Sequence, residues 1–440
     1  MTTAIARNLD LASALGDAEE RFTRANPDSQ RRHQAATKVM PGGNTRTVLF
    51  YGPFPLTIAR GEGCYLWDTD GHRYVDFLGE YSAGLYGHSN PIIRAAIERA
   101  LADGIALGGH NKVEGELASL ICARFPSIER VRFCNSGTEA NLFALVAARA
   151  FTGRNKIMIM QGGYHGGVFY FAGDGSPINA PFSFVKTRYN DTDGTLKLIE
   201  LHAKDLAAVI VEPMMGGGGC LAADPEFLKA LRTATAKHGV LLIFDEVMTS
   251  RLTPSGLQGK HGITPDMTTL GKYIGGGLTF GGFGGRADIM DRFDPRRPDA
   301  WPHAGTFNNN TMTMSAGAAG LREVYTPDEA IAFNARGDRL RERLNVAAAK
   351  RGLPVQFTGL GSMMTVHVLR GPIRSPEDLA RKDKRWADLF HLDMLARGYY
   401  LARRGMITLS LPMTDADIDG FVGAIEDWMD ERRDLIATSA

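Results

Sequence analysis

Residues 240–246 read Val-Leu-Leu-Ile-Phe-Asp-Glu, five apolar residues followed at once by two carboxylates. A short, continuous apolar run is typical of a strand that is buried on both faces of a parallel sheet. Asp245 then lies at the carboxyl end of the strand, where open α/β sheets bind their ligands. Because an unpaired charge is costly there, Asp245 needs a cationic partner, a metal ion or several hydrogen-bond donors.

Similar apolar runs flank this strand, and helix-like segments separate them. We predict strands at 131–134, 156–160 and 206–211, and helices at 90–103, 140–150 and 225–238. Buried strands that alternate with helices indicate an α/β fold with a mostly parallel sheet covered on both faces.

The two ends of the chain differ from this middle part. Three short strand-like runs between residues 56 and 77 predict a small antiparallel meander, preceded by charged helical sequence at 1–40. Near the C-terminus the pattern predicts helices at 327–350, 376–397 and 414–436 and a strand at 363–368. A chain of 440 residues exceeds one ordinary core, so we expect two domains. The predicted boundaries are 1–75 for an N-terminal segment of the small domain, 76–325 for the large domain and 326–440 for the C-terminal, smaller α+β domain.

Composition argues against several classes of function. The formal net charge is +1 and no long basic run occurs, so nucleic acid is not an expected partner. No apolar run of about 18 residues exists, which argues against a membrane span, and the first residues do not resemble a signal peptide. The four cysteines form no Cys-x-x-Cys pair, so neither a zinc ribbon nor a redox motif is indicated, and no metal site is predicted. The expected location is the cytoplasm.

A second polar strand end follows residues 131–134. Ser136-Gly137-Thr138 comes directly before a predicted helix. Backbone N–H groups at a helix N-terminus, together with the helix dipole, favour an anion such as a phosphate. The same residues also fit a simple N-cap made by Ser136 or Thr138, and alone they do not separate the two interpretations.

The third polar position is Lys272, which lies between Gly271 and the glycines at 275–277. Lysines usually lie on solvated faces, whereas desolvation here would lower the lysine pKa and free the amine to act as a nucleophile. A phosphate-binding or surface lysine beside a flexible loop is the alternative. The segment does not match a Walker motif, and no Gly-x-Gly-x-x-Gly opens a helix after the first strand, so nucleotide binding is poorly supported.

Two more strand ends carry candidate residues. Tyr164 follows the strand at 156–160 and could stack on a planar cofactor. Glu212 follows the strand at 206–211 and could bond the edge of the same cofactor. His165, next to Tyr164, is interpreted as a hydrogen-bonding histidine with a structural role rather than as a catalyst.

The order and spacing of these motifs indicate a family more strongly than any one of them does. Over roughly residues 36–430 the chain resembles the class III aminotransferases. The matching motifs are Ser-Gly-Thr-Glu-Ala at 136–140, Tyr-His-Gly at 164–166, Val-Glu-Pro at 211–213, Asp-Glu-Val at 245–247, Lys272 and Gly-Thr-Phe at 305–307. The resemblance implies a pyridoxal 5'-phosphate (PLP) enzyme of fold type I that moves amino groups.

The resemblance also implies a role for each candidate. Lys272 would hold the cofactor covalently and move the proton between substrate carbon and cofactor, and Asp245 would pair with the ring nitrogen. The two ring faces would be covered by Tyr164 and Val247. The phosphate would be held by Ser136, Gly137 and Thr138. Glu212 would lie near the ring hydroxyl, and Thr306 would reach the phosphate of the partner subunit, which implies a homodimer with shared active sites.

The segment at 44–51 narrows the resemblance within the class. It is similar to the aromatic β-amino-acid aminotransferases, in which an arginine at the position of Arg46 binds the substrate carboxylate. Arginine suits that task because its guanidinium binds a carboxylate through two hydrogen bonds. Arg404 would bind the α-carboxylate of 2-oxoglutarate, with Arg403 as a rival. An aromatic-accepting pocket could be lined by Phe50, Tyr51 and Tyr86.

We therefore predict an aminotransferase that passes the β-amino group of an aromatic β-amino acid, such as β-phenylalanine, to 2-oxoglutarate or pyruvate by a ping-pong mechanism. The alternative is a glutamate-1-semialdehyde 2,1-aminomutase, which Pro-Gly-Gly at 41–43 and Trp-Asp-Thr-Asp-Gly at 67–71 resemble. That enzyme usually continues Val-Asn-Ser-Pro-Val-Arg after Gly-Gly, whereas this chain has Asn-Thr-Arg-Thr-Val-Leu at 44–49. A PLP-binding protein without turnover is a further alternative that no sequence feature favours.

Overall fold

The computed structural model describes residues 10–439, so the first nine residues of the predicted N-terminal segment lie outside the described part. The helices are α1 (Leu11–Ala25), α2 (Pro27–Ala36), α3 (Pro91–Asp103), α4 (Glu114–Arg124), α5 (Gly137–Thr152), α6 (Thr192–His202), α7 (Pro225–His238), α8 (Gly256–His261), α9 (Ala287–Met290), α10 (Thr311–Ala319), α11 (Pro327–Lys350), α12 (Arg385–Ala396), α13 (Asp415–Glu431) and α14 (Arg433–Ser439). The strands are β1 (Ile58–Glu62), β2 (Tyr65–Asp68), β3 (Arg73–Asp76), β4 (Arg130–Cys134), β5 (Lys156–Met160), β6 (Ser183–Thr187), β7 (Leu206–Val211), β8 (Met214–Met215), β9 (Leu221–Ala222), β10 (Leu241–Asp245), β11 (Met267–Gly271), β12 (Gly281–Gly285), β13 (Val355–Leu360), β14 (Met363–Val368), β15 (Tyr399–Tyr400) and β16 (Met406–Thr408). None of the helices in this described range is long and apolar enough to cross a membrane.

Seven strands form the central sheet in the order β4-β12-β11-β10-β7-β5-β6. Their pairings are parallel except for those of β12, which runs against both of its neighbours. Alternate side chains of β5 enter separate cores: Ile157 and Ile159 pack on the α5 side, and Met158 and Met160 pack on the α7 side. Helices thus cover both faces, which explains why the strands are continuously apolar. The predicted α/β fold with a mostly parallel sheet is confirmed.

Strand β12 reads Gly-Gly-Phe-Gly-Gly and lies between the strands that lead to Ser136 and to Lys272. Its first residue, Gly281, pairs with Cys134 of β4 and with Gly271 of β11. A Cβ on Gly281 would lie 2.1 Å from the carbonyl oxygen of Ser136, so no larger residue fits. The sequence analysis did not predict this strand, because glycine is depleted in strands and leaves no periodic signal.

The first and last parts of the chain share a sheet. β1, β2 and β3 form the predicted antiparallel meander, and β15 joins β3 in parallel with Tyr399 opposite Val75. β13, β14 and β16 form a separate antiparallel sheet. Segments that flank the central sheet in sequence therefore meet in the structure. The domain boundaries at residues 75 and 325 stay a prediction.

The predicted helix at 376–397 is wrong as one continuous helix. The structure has a 3-10 helix at Pro376–Arg381, and α12 begins after a break. The Asp383 carboxylate accepts the N–H of Arg385 at 3.0 Å, and this local hydrogen bond competes with a continuous helix and favours a new start.

The predicted helix at 414–436 is likewise two helices, α13 and α14, with Arg432 between them. The Arg432 guanidinium turns inward to Asp393, a buried carboxylate, with Nε 3.0 Å from Oδ2. The ion pair supplies the charge partner that a buried carboxylate requires.

Candidate active site

Four candidate residues meet at the carboxyl edge of the central sheet. Asp245 is the last residue of β10, Lys272 and Glu212 directly follow β11 and β7, and Ser136 lies two residues after β4. Because parallel strands end at the same edge, the fold gathers side chains that are far apart in sequence.

Asp245 is almost fully buried and has three hydrogen-bond donors around its carboxylate. Oδ2 accepts from Asn141 Nδ2 at 2.8 Å and lies 2.7 Å from His165 Nδ1, and Oδ1 accepts from the N–H of Val247 at 3.0 Å. The hydroxyl of Thr269 donates to Asn141 Oδ1 at 2.7 Å and fixes the amide. This network provides the donors that a buried carboxylate requires. The sequence analysis missed Asn141, because an asparagine within a helix carries no signal of its own.

His165 is the ring partner of Asp245 in this network. Burial opposes protonation of the ring, but the hydrogen bond and the negative charge of Asp245 outweigh it and raise the pKa of His165. An ionised carboxylate only accepts, so Nδ1–H of the ring donates to Asp245. This geometry agrees with the structural role that the sequence analysis gave to His165.

Glu212 holds the turn that carries Tyr164. Oε1 accepts the N–H of Tyr164 at 3.1 Å, and Oε2 accepts the N–H of Gly216 at 3.0 Å. Burial raises the pKa of Glu212 to about 7, with the charge of His165 opposing the rise and that of Asp245 adding to it. Both carboxylate oxygens are thus engaged by backbone, so we propose that Glu212 acts on a cofactor through Tyr164 rather than by direct contact.

Glu212→Gln is expected to remove a pH dependence of stability. The folded-state pKa of Glu212 lies above the ordinary value of 4.5, so the folded protein keeps a proton that the unfolded chain has released. The free energy of unfolding therefore falls as pH rises through this window, by up to about 3 kcal/mol. Urea unfolding of the cofactor-free protein at about pH 5 and about pH 7 measures the fall.

The variant should be less stable than the wild type at both pH values, because its amide nitrogen cannot accept a backbone N–H. The difference between the two pH values should nevertheless shrink. Glu226→Gln changes an exposed carboxylate on α7 and should keep the wild-type pH dependence. An unchanged fall in Glu212→Gln would contradict the raised pKa.

The turn at Ser136-Gly137-Thr138 begins α5. Ser136 caps the helix, since its Oγ accepts the N–H of Glu139 at 3.2 Å, and Thr138 Oγ1 accepts the N–H of Gly167 at 3.1 Å. The N–H groups of Gly137 and Thr138 precede the first intrahelical hydrogen bond and so have no acceptor within the helix. The cap and the anion site are therefore compatible: the Ser136 side chain makes the cap, and the next two backbone N–H groups can bind a phosphate.

Val247 packs against this turn and against the strand that leads to Lys272. A Cβ on Gly137 would lie 2.8 Å from Val247 Cγ1, and a Cβ on Gly271 would lie 3.0 Å from the same methyl group. Both glycines are therefore needed for the close approach of Val247. Tyr164 remains 40% exposed, so its ring has a free face for a ligand.

Lys272 has a left-handed backbone, with φ of 55°. Such a conformation costs a non-glycine residue energy and is concentrated at functional sites. Burial lowers the pKa of Lys272, the charge of Asp245 opposes this, and Arg404 and Arg46 add to the lowering. A larger fraction of the side chain is then the neutral amine, which is the form that attacks a carbonyl carbon.

The two arginines predicted to bind carboxylates lie beside one aromatic ring. The guanidinium carbon of Arg46 is 5.8 Å from the centre of the Tyr81 ring, and that of Arg404 is 4.8 Å from it. Arg46 also forms an ion pair with Glu80, and Arg404 donates to Met406 Sδ at 3.2 Å. The sequence analysis missed Tyr81 and Glu80, because neither lies in a motif or at a strand end of the central sheet.

The rival arginine is oriented elsewhere. Arg403 forms an ion pair with Asp388 of α12, so the structure brings Arg404 and not Arg403 to the Tyr81 ring. The predicted aromatic lining is also partly wrong, since Tyr51 is buried in the core with its ring 4.3 Å from that of His391. Tyr86 is buried as well.

Thr306 does not join the cluster at the sheet edge. It is exposed and lines a surface depression of about 610 Å³ together with residues 105–111, Glu114, Phe307 and residues 309–312. A contribution of Thr306 to a phosphate would have to be made to another subunit, as the resemblance implies.

The family model for class III aminotransferases matches residues 50–427, and the chain belongs to that family. The β-phenylalanine transaminase of Variovorax paradoxus is 57% identical over 412 residues, covering 94% of this chain and 95% of that protein. The crystal structure of a β-phenylalanine aminotransferase from the same organism matches with a TM-score of 0.95 and 55% identity, covering 96% of this chain and 98% of that one. The glutamate-1-semialdehyde 2,1-aminomutase of Desulforudis audaxviator is 37% identical over 426 residues, covering 92% of this chain and 98% of that protein. The predicted family and fold type I are confirmed, and the protein is a PLP-dependent aminotransferase.

The residues at the sheet edge fit PLP. The buried carboxylate of Asp245 suits a protonated ring nitrogen, and the N–H groups at the start of α5 suit a phosphate. The strained, partly buried Lys272 suits the aldehyde carbon. Gly137 and Gly271 have no Cβ atom, so Val247 can lie close to both of them, where it could contact a flat ring.

Proposed function

We propose that the protein transfers the amino group of an aromatic β-amino acid, such as β-phenylalanine, to 2-oxoglutarate or pyruvate. The observation that carries this proposal is the pair Arg46 and Arg404 beside the Tyr81 ring, which offers separate guanidinium groups to carboxylates. Each guanidinium can bind a carboxylate through two parallel hydrogen bonds. The 57% identity to the β-phenylalanine transaminase of V. paradoxus supports the same substrate class.

Lys272 moves the proton in this reaction. Its neutral amine would take the proton from the substrate carbon that bears the amino group and would pass it to the carbon of the cofactor that keeps this amino group. PLP, when bound, supplies the carbonyl that receives the amino group and a ring that accepts the electrons released at that carbon. Asp245, with His165 and Asn141 behind it, keeps a negative charge at the ring nitrogen.

Each of the two arginines binds the carboxylate of a different substrate. Arg46 binds the carboxylate of the amino donor, and Arg404 binds the carboxylate next to the keto group of the acceptor. Both guanidinium groups lie beside the Tyr81 ring, so the donor and acceptor sites would be close together and the two substrates would bind in turn. This arrangement supports a ping-pong order of substrate binding and product release.

Glutamate formation tests the proposal. The PLP-loaded enzyme is mixed with racemic β-phenylalanine and 2-oxoglutarate, and glutamate is measured over time. A parallel reaction with pyruvate, read as alanine, separates the two acceptors. If neither amino acid forms while absorbance shows that PLP is bound, the substrate proposal is wrong.

A glutamate-1-semialdehyde aminomutase is the second candidate, favoured by the 37% identity to the D. audaxviator enzyme. It would need no second amino acid, because it would return the amino group to the same molecule. Formation of 5-aminolevulinate from glutamate-1-semialdehyde without an added acceptor would support it. The arginine at position 46, in place of the usual Ser-Pro stretch, argues for the aminotransferase.

We also propose a homodimer in which Thr306 of each subunit reaches the phosphate site of the other. Phe307, Ile105 and Leu107 are exposed around the depression that Thr306 lines, at 60%, 64% and 54%. Exposed apolar side chains grouped in this way are typical of a surface that another chain covers. Light scattering that gives the mass of a single chain would contradict the dimer.

Arg404→Ala is expected to raise the KM for 2-oxoglutarate by about ten- to a hundredfold, because a charged hydrogen-bonding partner of the acceptor carboxylate is lost. Initial rates at varied 2-oxoglutarate and saturating amino donor measure the change. Arg403→Ala is the matched control, since its guanidinium is engaged by Asp388, and it should leave this KM within about twofold. The opposite pattern, with Arg403→Ala as the damaging change, would reassign the acceptor site.

A further inference from the structure

Arg46 already has a carboxylate partner within its own chain. Glu80 forms an ion pair with Arg46, and the two side chains are 52% and 43% exposed. The described residues leave both side chains partly exposed, so a carboxylate from solution can reach the same guanidinium. The proposed donor site is therefore occupied by an internal competitor.

The backbone fixes Glu80 in this position. Gly79, Glu80, Tyr81 and Ser82 have φ values of 51°, 47°, 53° and 80°, so four consecutive residues are left-handed. For the three that are not glycine this conformation is strained, and the surrounding structure must compensate for it. The position of the Glu80 carboxylate is therefore set by the backbone of the turn and not only by its attraction to Arg46.

Arg251 and Tyr81 each make a hydrogen bond that anchors the turn. Arg251, which is completely buried, donates from Nη1 to the carbonyl oxygen of Ser82 at 3.0 Å and from Nε to Ser362 Oγ at 3.1 Å. The Tyr81 hydroxyl donates to the carbonyl oxygen of Val48 at 2.8 Å and so ties the turn to the loop that carries Arg46. Glu80 and Arg46 are thus brought together by the fold itself.

The arrangement is asymmetric between the two arginines. Arg404 contacts the Tyr81 ring and Met406 Sδ, and no ion pair involves it among residues 10–439. An internal carboxylate therefore opposes binding at Arg46 and not at Arg404. The competition therefore weakens the binding of the amino donor and leaves the binding of the acceptor unaffected.

We propose that Glu80 is a specificity-determining residue whose carboxylate occupies Arg46 in the substrate-free enzyme and must be displaced by the carboxylate of the amino donor. This inference rests on the proposed function, because it assigns the donor carboxylate to Arg46. A donor that carries a carboxylate can take over the guanidinium, whereas an amine without a carboxylate leaves the pair intact. The enzyme then binds its carboxylate donors less tightly than Arg46 alone would allow.

Glu80→Gln, in the PLP-loaded enzyme, tests the competition. The KM for β-phenylalanine should fall by about three- to fivefold, the size expected for loss of one solvent-exposed ion pair. The KM for pyruvate, and kcat/KM for a benzylic amine that lacks a carboxylate, should stay within about twofold. Glu80→Asn serves as a second variant, because asparagine also lacks the charge and tolerates a left-handed backbone better.

The control is Glu98→Gln, which removes a similarly exposed ion pair with Arg94 on α3 and should change none of these values. An unchanged or raised KM for β-phenylalanine in both Glu80 variants would overturn the proposal, since Glu80 would then be neutral or would help to position Arg46. A wild-type enzyme that turns over the benzylic amine but not β-phenylalanine would instead overturn the proposed function.

Discussion

Replacing Lys272 by alanine is expected to lower kcat by about a thousandfold or more, since covalent attachment and proton transfer are both lost. The side chain lies directly after β11 at the sheet edge, and among the described residues it is the lysine whose pKa is affected by Asp245, Arg404 and Arg46 together. Alanine also accepts the left-handed backbone less well than glycine does, but it adds no bulk.

The measurement is the rate of a single half-reaction with excess amino donor, followed by the absorbance of the bound cofactor. Lys260→Ala, on the exposed side of α8, is the matched control and should keep the wild-type rate. Added methylamine should restore part of the Lys272→Ala rate if the missing amine is the cause. If the variant keeps a kcat near that of the wild type, the catalytic amine belongs to another residue.

Replacing Asp245 by asparagine is expected to lower kcat by about a hundred- to a thousandfold, the effect typical of losing one preorganised charged group at a reacting centre. Asparagine keeps the size of the side chain but removes the negative charge. Its amide nitrogen would also face groups that donate hydrogen bonds, namely Asn141 and His165. With the carboxylate gone, burial lowers the pKa of His165 and the charge of Glu212 is left to oppose it, so this pKa should fall.

Two measurements separate a site effect from loss of the fold: kcat at saturating PLP, and the midpoint of thermal unfolding. Asp266→Asn removes a comparably buried carboxylate, paired with Arg232 and Arg286 at the start of β11. It should lower the unfolding temperature while the remaining folded enzyme keeps its kcat. If both variants lose stability and activity in parallel, Asp245 has no special role at the cofactor.

The sequence predicted the residues that lie at strand ends and not those that act through a neighbour. Asp245 and Lys272 could be found because a charged group directly after a buried strand is unusual and has a physical cost. Asn141 and Tyr81 could not be found in this way. Asn141 reaches Asp245 from within α5, and Tyr81 reaches the arginines only because Arg251 holds the left-handed turn.

The strands and helices could likewise be predicted where a segment has its own apolar pattern, and not where its position depends on contacts with distant residues. Apolar runs such as 206–211 identify buried strands directly. The glycine strand β12 has no such run, since its position depends on backbone contacts with Ser136 and Gly271 that are distant in sequence. The interruptions at Asp383 and Arg432 depend on the hydrogen bonds of individual side chains, which a periodic pattern does not report.

Strand β12 has a consequence for redesign of this enzyme. A Cβ on Gly281 would lie 2.1 Å from Ser136 O, and one on Gly285 would lie 2.3 Å from Asp266 O, so a mutant library that varies 281–285 would consist mostly of inactive clones. Arg46, Glu80 and Tyr81, in contrast, lie in segments outside the central sheet, at 44–50 and 79–82. We therefore expect that substitutions in these segments can change the substrate preference without altering the residues that fit PLP.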